Sequence, residues 1–225
     1  MKKKILITDA LVEQYIEIYS KSFDVDILHK LKNINYLSYE GIIVAGGFNA
    51  SSKFLKKFKN LKIISVFGVG YDGVDIKYCK KNNITVTNTP KVLTNDVADL
   101  AICLIIGISR NIINGHNHII NNFWLNQQIE LSSSLTGKNI GIVGMGDIGL
   151  AIAKRAEALS MIVKYYGPNK KKNKFKYIKN LEKLANVSDY LVVACKGGKE
   201  TTKIINSKVI KSMNKNSFLI NISRG

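Results

Sequence analysis

Three glycines spaced as G-x-G-x-x-G (Gly144, Gly146 and Gly149) stand between the apolar run Ile140 to Val143 and a stretch with helical spacing, Ile148, Ile152, Ala156 and Leu159. Strand, tight glycine turn and helix together form the context in which such a triplet binds a dinucleotide. Gly144 would allow the tight turn. Gly146 would let the backbone approach a pyrophosphate, and Gly149 would let helix and strand pack closely. The N–H groups at the start of the following helix, with its partial positive charge, would face the phosphates. Met145, Asp147 and Ile148 complete the turn, so 144–149 is the first candidate site.

The ribose is the next test. Dinucleotide sites that prefer NAD carry an acidic residue roughly 20 positions beyond the glycines, where it binds the 2′-hydroxyl. Here that region reads Tyr165-Tyr166-Gly167-Pro168-Asn169-Lys170-Lys171, with no carboxylate to repel a 2′-phosphate. Asn169, Lys170 and Lys171 could instead bind one, which favours NADP and leaves NAD possible. Two more glycine-rich turns, Gly46-Gly47 and Gly68-Val69-Gly70-Tyr71-Asp72-Gly73, each follow an apolar strand. Backbone N–H groups in such turns can receive a carboxylate, although a plain need for positive φ would explain either turn alone about as well.

Strands and helices must alternate to place these turns. Ile5 to Thr8, Val25 to Leu28, Ile42 to Ala45, Ile63 to Phe67 and Ile84 to Thr87 read as strands, with helical spacing at Leu11 to Tyr19 and around Phe54 to Phe58. A long apolar helix is predicted through Ile108, capped by Thr94 or Asn95, with its hydrophobicity pointing to burial between two domains. A second helix covers Ile112 to Phe123, and a Gln/Ser-rich loop runs to Thr136. Beyond the glycine turn come strand Met161 to Tyr166, helix Ile178 to Ala185, strand Tyr190 to Cys195, helix Val209 to Met213 and strand Phe218 to Ile222. The rhythm is that of an α/β protein with mostly parallel sheets.

Composition narrows the function. No apolar run reaches the roughly 18–20 residues of a membrane span, and the Lys-rich start lacks a signal peptide's long apolar segment, so no membrane partner is expected. Cys79, Cys103 and Cys195 are far apart and form no metal or disulfide framework, which fits a reducing cytoplasm. The net charge of +18 comes from lysines spread along the whole chain rather than a basic patch interleaved with aromatics, so nucleic acid is not the expected partner. The charge would draw anionic cofactors and acids instead. His29, His116 and His118 are the histidines of the chain, the last two reading as solvated surface.

The VGYDGVD turn, the NTPKVLTNDVADLAI helix start, GMGDIG, the DYLVVAC strand and the closing NISRG occur in one order. Together they resemble the D-isomer-specific 2-hydroxyacid dehydrogenases, most closely the glyoxylate/hydroxypyruvate and hydroxyphenylpyruvate reductase branch. The resemblance implies a flavodoxin-like substrate domain over residues 1–97 and a Rossmann dinucleotide-binding domain over residues 98–225, incomplete at its C-terminus. It implies that backbone of Val69 and Gly70 holds the substrate carboxylate. Arg224 corresponds to the family's catalytic arginine, gripping a 2-oxo acid and polarising its carbonyl for hydride attack. Cofactor contacts extend by the same resemblance to Pro168, Lys196 and Ile222, with Pro168 standing where the phosphate-using branch commonly has arginine. The expected reaction is NADPH-dependent reduction of a small 2-oxo acid, and the expected assembly is a homodimer.

The family's proton-donating histidine and its supporting glutamate lie beyond the arginine motif, past Gly225. None of the three histidines here matches. A truncated chain is therefore expected to be a feeble catalyst with an exposed sheet edge. The alternative reading is an inactive remnant or an NAD(P)-sensing interaction protein; retention of Arg224 and the carboxylate-binding turn favours the enzyme.

Overall fold

Gly41–Ala45 is buried at every position, as a parallel strand covered on both faces must be. It is β3 of the first sheet, with β1 (Lys3–Ile7), β2 (Phe23–Ile27), β4 (Ile63–Phe67) and β5 (Thr85–Thr87). All are parallel, in the order β2-β1-β3-β4-β5. This is the flavodoxin-like doubly wound order. Alternate side chains feed two apolar layers: Leu6, Ile42, Val44, Ile64 and Val66 on one face, Ile5, Ile7 and Ile43 on the other. The computed structural model describes residues 2–224, and the chain divides between Val92 and Leu93 into two compact units, of which this sheet belongs to the first.

Short helices cover the sheet. The helical spacing of Leu11 to Tyr19 resolves into α1 (Ala10–Glu13) and α2 (Ile16–Ser20), broken at Gln14 and Tyr15. Asp9 caps α1 by accepting from the Leu11 N–H at 2.9 Å. Helix α3 (Ser52–Leu55) buries Leu55. Helix α4 (Ile76–Lys81), which sequence pattern did not reveal, is nucleated by Asp75, whose Oδ1 accepts from the Tyr78 N–H at 3.0 Å.

The second unit opens with α5 (Thr94–Ser109) and α6 (Ile112–Ile120). Its sheet holds β6 (Asn139–Val143), β7 (Ile162–Tyr166), β8 (Lys176–Tyr177), β9 (Tyr190–Val193) and β10 (Phe218–Asn221), all parallel. Helices α7 (Asp147–Ala158), α8 (Leu181–Asn186) and α9 (Ser207–Ser212) complete it. The order β10-β9-β6-β7-β8 is that of a Rossmann sheet through its fifth strand. The order reverses between β6 and β9, and ligands of such sheets collect beyond the strand ends at that point.

Two expectations for α5 are corrected. Neither Thr94 nor Asn95 caps it: the helix begins at Thr94, the preceding residue is Leu93, and no side chain bonds to the first turn. Asn95 instead accepts from Arg155 of α7 at 3.2 Å, beside the Arg155–Asp99 ion pair at 2.6 Å. Nor is α5 buried all round. Ala98, Ala101 and Ile105 pack into the core shared with α7, while Leu100, Leu104 and Ile108 are exposed. The predicted helix to Phe123 ends at Ile120, and left-handed Asn122 turns the chain into a short 3₁₀ turn carrying exposed Trp124. At the other edge, β10 leaves Phe218 and Leu219 exposed.

Candidate dinucleotide and anion sites

The turn after β6 is built by two close approaches. Gly144 has φ +101°, and a Cβ there would fall 2.7 Å from the Cys195 backbone beyond β9. Gly149 sits in the first turn of α7, where a Cβ would fall 2.0 Å from the Gly144 carbonyl oxygen. Both positions therefore exclude side chains for reasons internal to the fold. Gly146 differs: a Cβ added there meets no protein atom within 4 Å, and its φ of −86° suits any residue. Packing makes no demand for glycine at that position, whereas backbone approach by a ligand does.

The same turn leaves donors open. No side chain caps α7. Among the described residues, the N–H groups of Met145, Gly146, Asp147 and Ile148 donate to no protein acceptor, whereas Gly144 N–H is taken by Tyr166 O at 2.9 Å and Leu150 N–H by Gly146 O at 2.9 Å. Open donors at the head of a 12-residue helix form an anion site. Met145 is buried and Ile148 half-buried in the core, so both can serve a ligand only through backbone. The cradle fits the pyrophosphate of a dinucleotide.

The other sequence-derived candidates of this unit gather at the same end of its sheet. Beyond β7, Gly167 is buried and Pro168, Asn169, Lys170 and Lys171 are exposed. Among the described residues Lys170, Lys171 and Lys172 enter no ion pair, whereas Lys174 pairs with Glu157 at 2.7 Å. Beyond β9, Lys196 is exposed and its carbonyl accepts from Thr201 Oγ1 at 2.6 Å. Ile222 contributes its N–H to Val193 O at 3.2 Å and its side chain to the core, so little of it remains for a ligand.

Arg224 stands just past β10. Asn221 organises that end: its Oδ1 accepts from the Ser223 N–H at 3.0 Å and its Nδ2 donates to the Arg224 carbonyl at 2.6 Å. Ser223 Oγ donates in turn to the Cys195 carbonyl, tying the ends of β9 and β10 together. The exposed Arg224 guanidinium reaches the Ser223 carbonyl at 3.1 Å. Gly225, the last residue of the motif, lies outside the described residues. Burial pushes the Cys195 thiol above its ordinary range, so it stays protonated at neutral pH.

In the first unit, the two glycine turns come together. A Cβ on Gly46 would lie 3.2 Å from the Gly70 carbonyl. The carbonyls of the second turn are engaged: Thr89 N–H donates to Gly68 O at 3.0 Å, and Asn88 Nδ2 to Val69 O at 2.9 Å. The N–H groups of Val69 and Gly70 meet no protein acceptor among the described residues. The pair can receive one small anion such as a carboxylate.

Among the described residues, no histidine bonds to a residue of these turns. His29 faces Glu13 at 3.3 Å, and His116 is exposed on α6. His118, expected on solvated surface, is instead half-buried, with Nε2 3.0 Å from the Gln127 carbonyl and its ring against Phe123. Sequence reasoning missed Tyr165 and Tyr177, whose hydroxyls bond the backbone of the lysine loop.

An open donor cradle at the switch point of a Rossmann sheet defines a dinucleotide-binding α/β protein. Comparison with known proteins agrees: the profile of the D-isomer specific 2-hydroxyacid dehydrogenase NAD binding domain matches residues 102–225. The hydroxyphenylpyruvate reductase of Plectranthus scutellarioides is 40% identical over 189 residues, covering 84% of this chain and 60% of that protein. The 2-ketogluconate reductase of Gluconobacter oxydans is 34% identical over 227 residues, covering all of this chain and 73% of its own. Among solved structures, the NADPH-dependent glyoxylate/hydroxypyruvate reductase of Sinorhizobium meliloti, in complex with NADP and malonate, superposes with a TM-score of 0.92. It is 31% identical, over 100% of this chain and 72% of that one. The chain thus belongs to the D-isomer specific 2-hydroxyacid dehydrogenases, and it spans about 60% of the length of the plant reductases it matches.

Proposed function

We propose that the protein reduces a small 2-oxo acid of the glyoxylate/hydroxypyruvate type to the 2-hydroxy acid, with NADPH preferred over NADH. The carrying observation is the set of open N–H groups at 145–148 beside a lysine loop that holds no carboxylate. When bound, the nicotinamide supplies the hydride that reduces the C2 carbonyl. The cradle at Gly144–Gly149 holds the pyrophosphate. Asn169, Lys170 and Lys171 take the 2′-phosphate, with Pro168 and Lys196 flanking the cofactor and Ile222 giving it at most backbone contact. Val69 and Gly70 N–H groups receive the substrate carboxylate. Arg224 donates to the carbonyl oxygen and stabilises the negative charge that develops there.

The resulting alkoxide needs a proton. His29, His116 and His118 are each placed in other surroundings, and we assign the step to none of them. The 225-residue chain alone is accordingly expected to turn over slowly, since a positioned acid contributes on the order of 10²–10⁴-fold. The reading includes a homodimer, supported by exposed Leu104, Ile108, Ile113, Ile120 and Trp124 along α5, α6 and the turn after them. Cys79, Cys103 and Cys195 are free thiols, in keeping with a cytoplasmic setting. Among the described residues no helix is long and apolar enough to cross a membrane.

Calorimetric titration tests the cofactor arm. Replacing both Lys170 and Lys171 with Ala is expected to weaken NADPH roughly 10-fold or more while NADH changes little; equal losses refute the 2′-phosphate assignment. Assayed with hydroxypyruvate in a chain extended to the length of the relatives, Arg224→Lys should cut turnover about 10²-fold or more. Near-normal kinetics would show that another group polarises the carbonyl.

A further inference from the structure

The segment between β7 and β8 carries the lysines, and two tyrosines pin its course. Tyr165 is fully buried on β7, and its hydroxyl accepts from the Lys171 N–H at 2.8 Å. Tyr177 lies opposite it on β8 and donates its hydroxyl hydrogen to the Gly167 carbonyl at 3.0 Å. The two rings sit side by side, centroids 5.3 Å apart. Inside the loop, Asn173 N–H donates to Lys171 O at 3.0 Å and Asn173 Oδ1 accepts from Phe175 N–H at 3.0 Å. The loop is thus bonded to the sheet at Gly167 and at Lys171, on either side of Pro168, Asn169 and Lys170.

These bonds bear on recognition. Lys170, Lys171 and Lys172 are like charges in sequence without an ion-pair partner among the described residues, so the loop gains nothing electrostatically from holding them together. An unpinned loop would pay to order its backbone and its lysines whenever an anion binds. A pinned loop has paid part of that cost in advance, and only a ligand that reaches the loop benefits. We propose that Tyr165 and Tyr177 are positioning residues that set the preference for a cofactor phosphorylated at the 2′ position, through the backbone of Gly167 and Lys171. The inference rests on the NADPH reading above.

The test uses the 225-residue chain and two nucleotides that differ in one phosphate, adenosine 2′,5′-bisphosphate and 5′-AMP, titrated by calorimetry. The unmodified chain is expected to bind the bisphosphate at least 10-fold more tightly. In Tyr165→Phe/Tyr177→Phe, which keeps both rings, bisphosphate affinity should fall about 5- to 10-fold, with 5′-AMP unchanged within about twofold. Tyr177→Phe alone, at a half-buried ring, keeps the measurement available if the double variant does not fold, and should show a smaller loss of the same selectivity. Equal losses for both nucleotides, or no loss for either, overturn the inference while leaving the NADPH reading standing. An unmodified chain that does not discriminate between the two nucleotides overturns the NADPH reading and the inference with it.

Discussion

Two of the glycine turns that follow parallel strands in this molecule differ in what comes next. The turn at Gly144–Gly149 runs into a 12-residue helix whose first N–H groups are left open. The turn at Gly68–Gly73 runs into the six-residue helix α4, whose N-terminus Asp75 already occupies. Of its backbone donors, the adjacent N–H groups of Val69 and Gly70 form the pair that can receive a carboxylate. The first turn can hold a large, multiply charged group through a file of donors and a helix end. The second can hold one carboxylate. A single side chain, present as Asp75 and absent at Gly146, separates the two cases.

The sharpest way to break this comparison is Gly146→Val. A Cβ at that position meets no protein atom within 4 Å and the backbone there is extended, so the fold should survive with its melting temperature shifted by no more than about 2–4 °C. NADPH affinity should nevertheless drop on the order of 10²-fold as the pyrophosphate is pushed away. Unchanged affinity would mean the cradle is not the nucleotide site. Asn88→Ala acts on the other turn by removing the donor to Val69 O. In the extended chain it should raise KM for the 2-oxo acid about 3- to 10-fold with NADPH affinity unaltered; a change in NADPH affinity alone would reverse the assignment.

The smallest effect concerns Asp75. Its carboxyl is held below the ordinary aspartate value of 3.8, chiefly by the Tyr78 N–H. Because the folded-state pKa is the lower one, the stabilisation is complete above about pH 4 and is lost as pH falls through the folded value. Asp75→Ala should lower the melting temperature by a few degrees at pH 7 and leave nucleotide binding intact. The gap to the unmodified chain should shrink in acid. A gap that stays constant down to pH 2 would show that the charge of Asp75 does not hold the helix end.

What could be read from the sequence had short-range causes. The G-x-G-x-x-G turn was legible because strand, glycines and helix start follow one another directly, and Gly144 and Gly149 meet within five residues. Strand β8 and helix α4 were not, being two and six residues long with no apolar period to mark them. Helix α5 misled through its composition: its apolar residues circle the helix, yet Ala98, Ala101 and Ile105, with half-buried Ile102, face the core while Leu100, Leu104 and Ile108 are exposed. The cap on that helix was misplaced because Asn95 and Asp99 are engaged by Arg155, some 56 to 60 positions later. The hydroxyl bonds of Tyr165 and Tyr177 stayed hidden for the opposite reason. Both are local, but a tyrosine in a strand looks like any other core aromatic until its hydroxyl finds a carbonyl or an N–H.

The single tryptophan of the chain offers a practical consequence. Trp124 is 56% exposed on the apolar stretch after α6, so its indole emission belongs to a hydrated ring and should lie toward the red. Dilution or crowding that uncovers or covers this surface would shift the colour of that emission. If the homodimer proposed above buries this surface, its formation should move the emission to the blue.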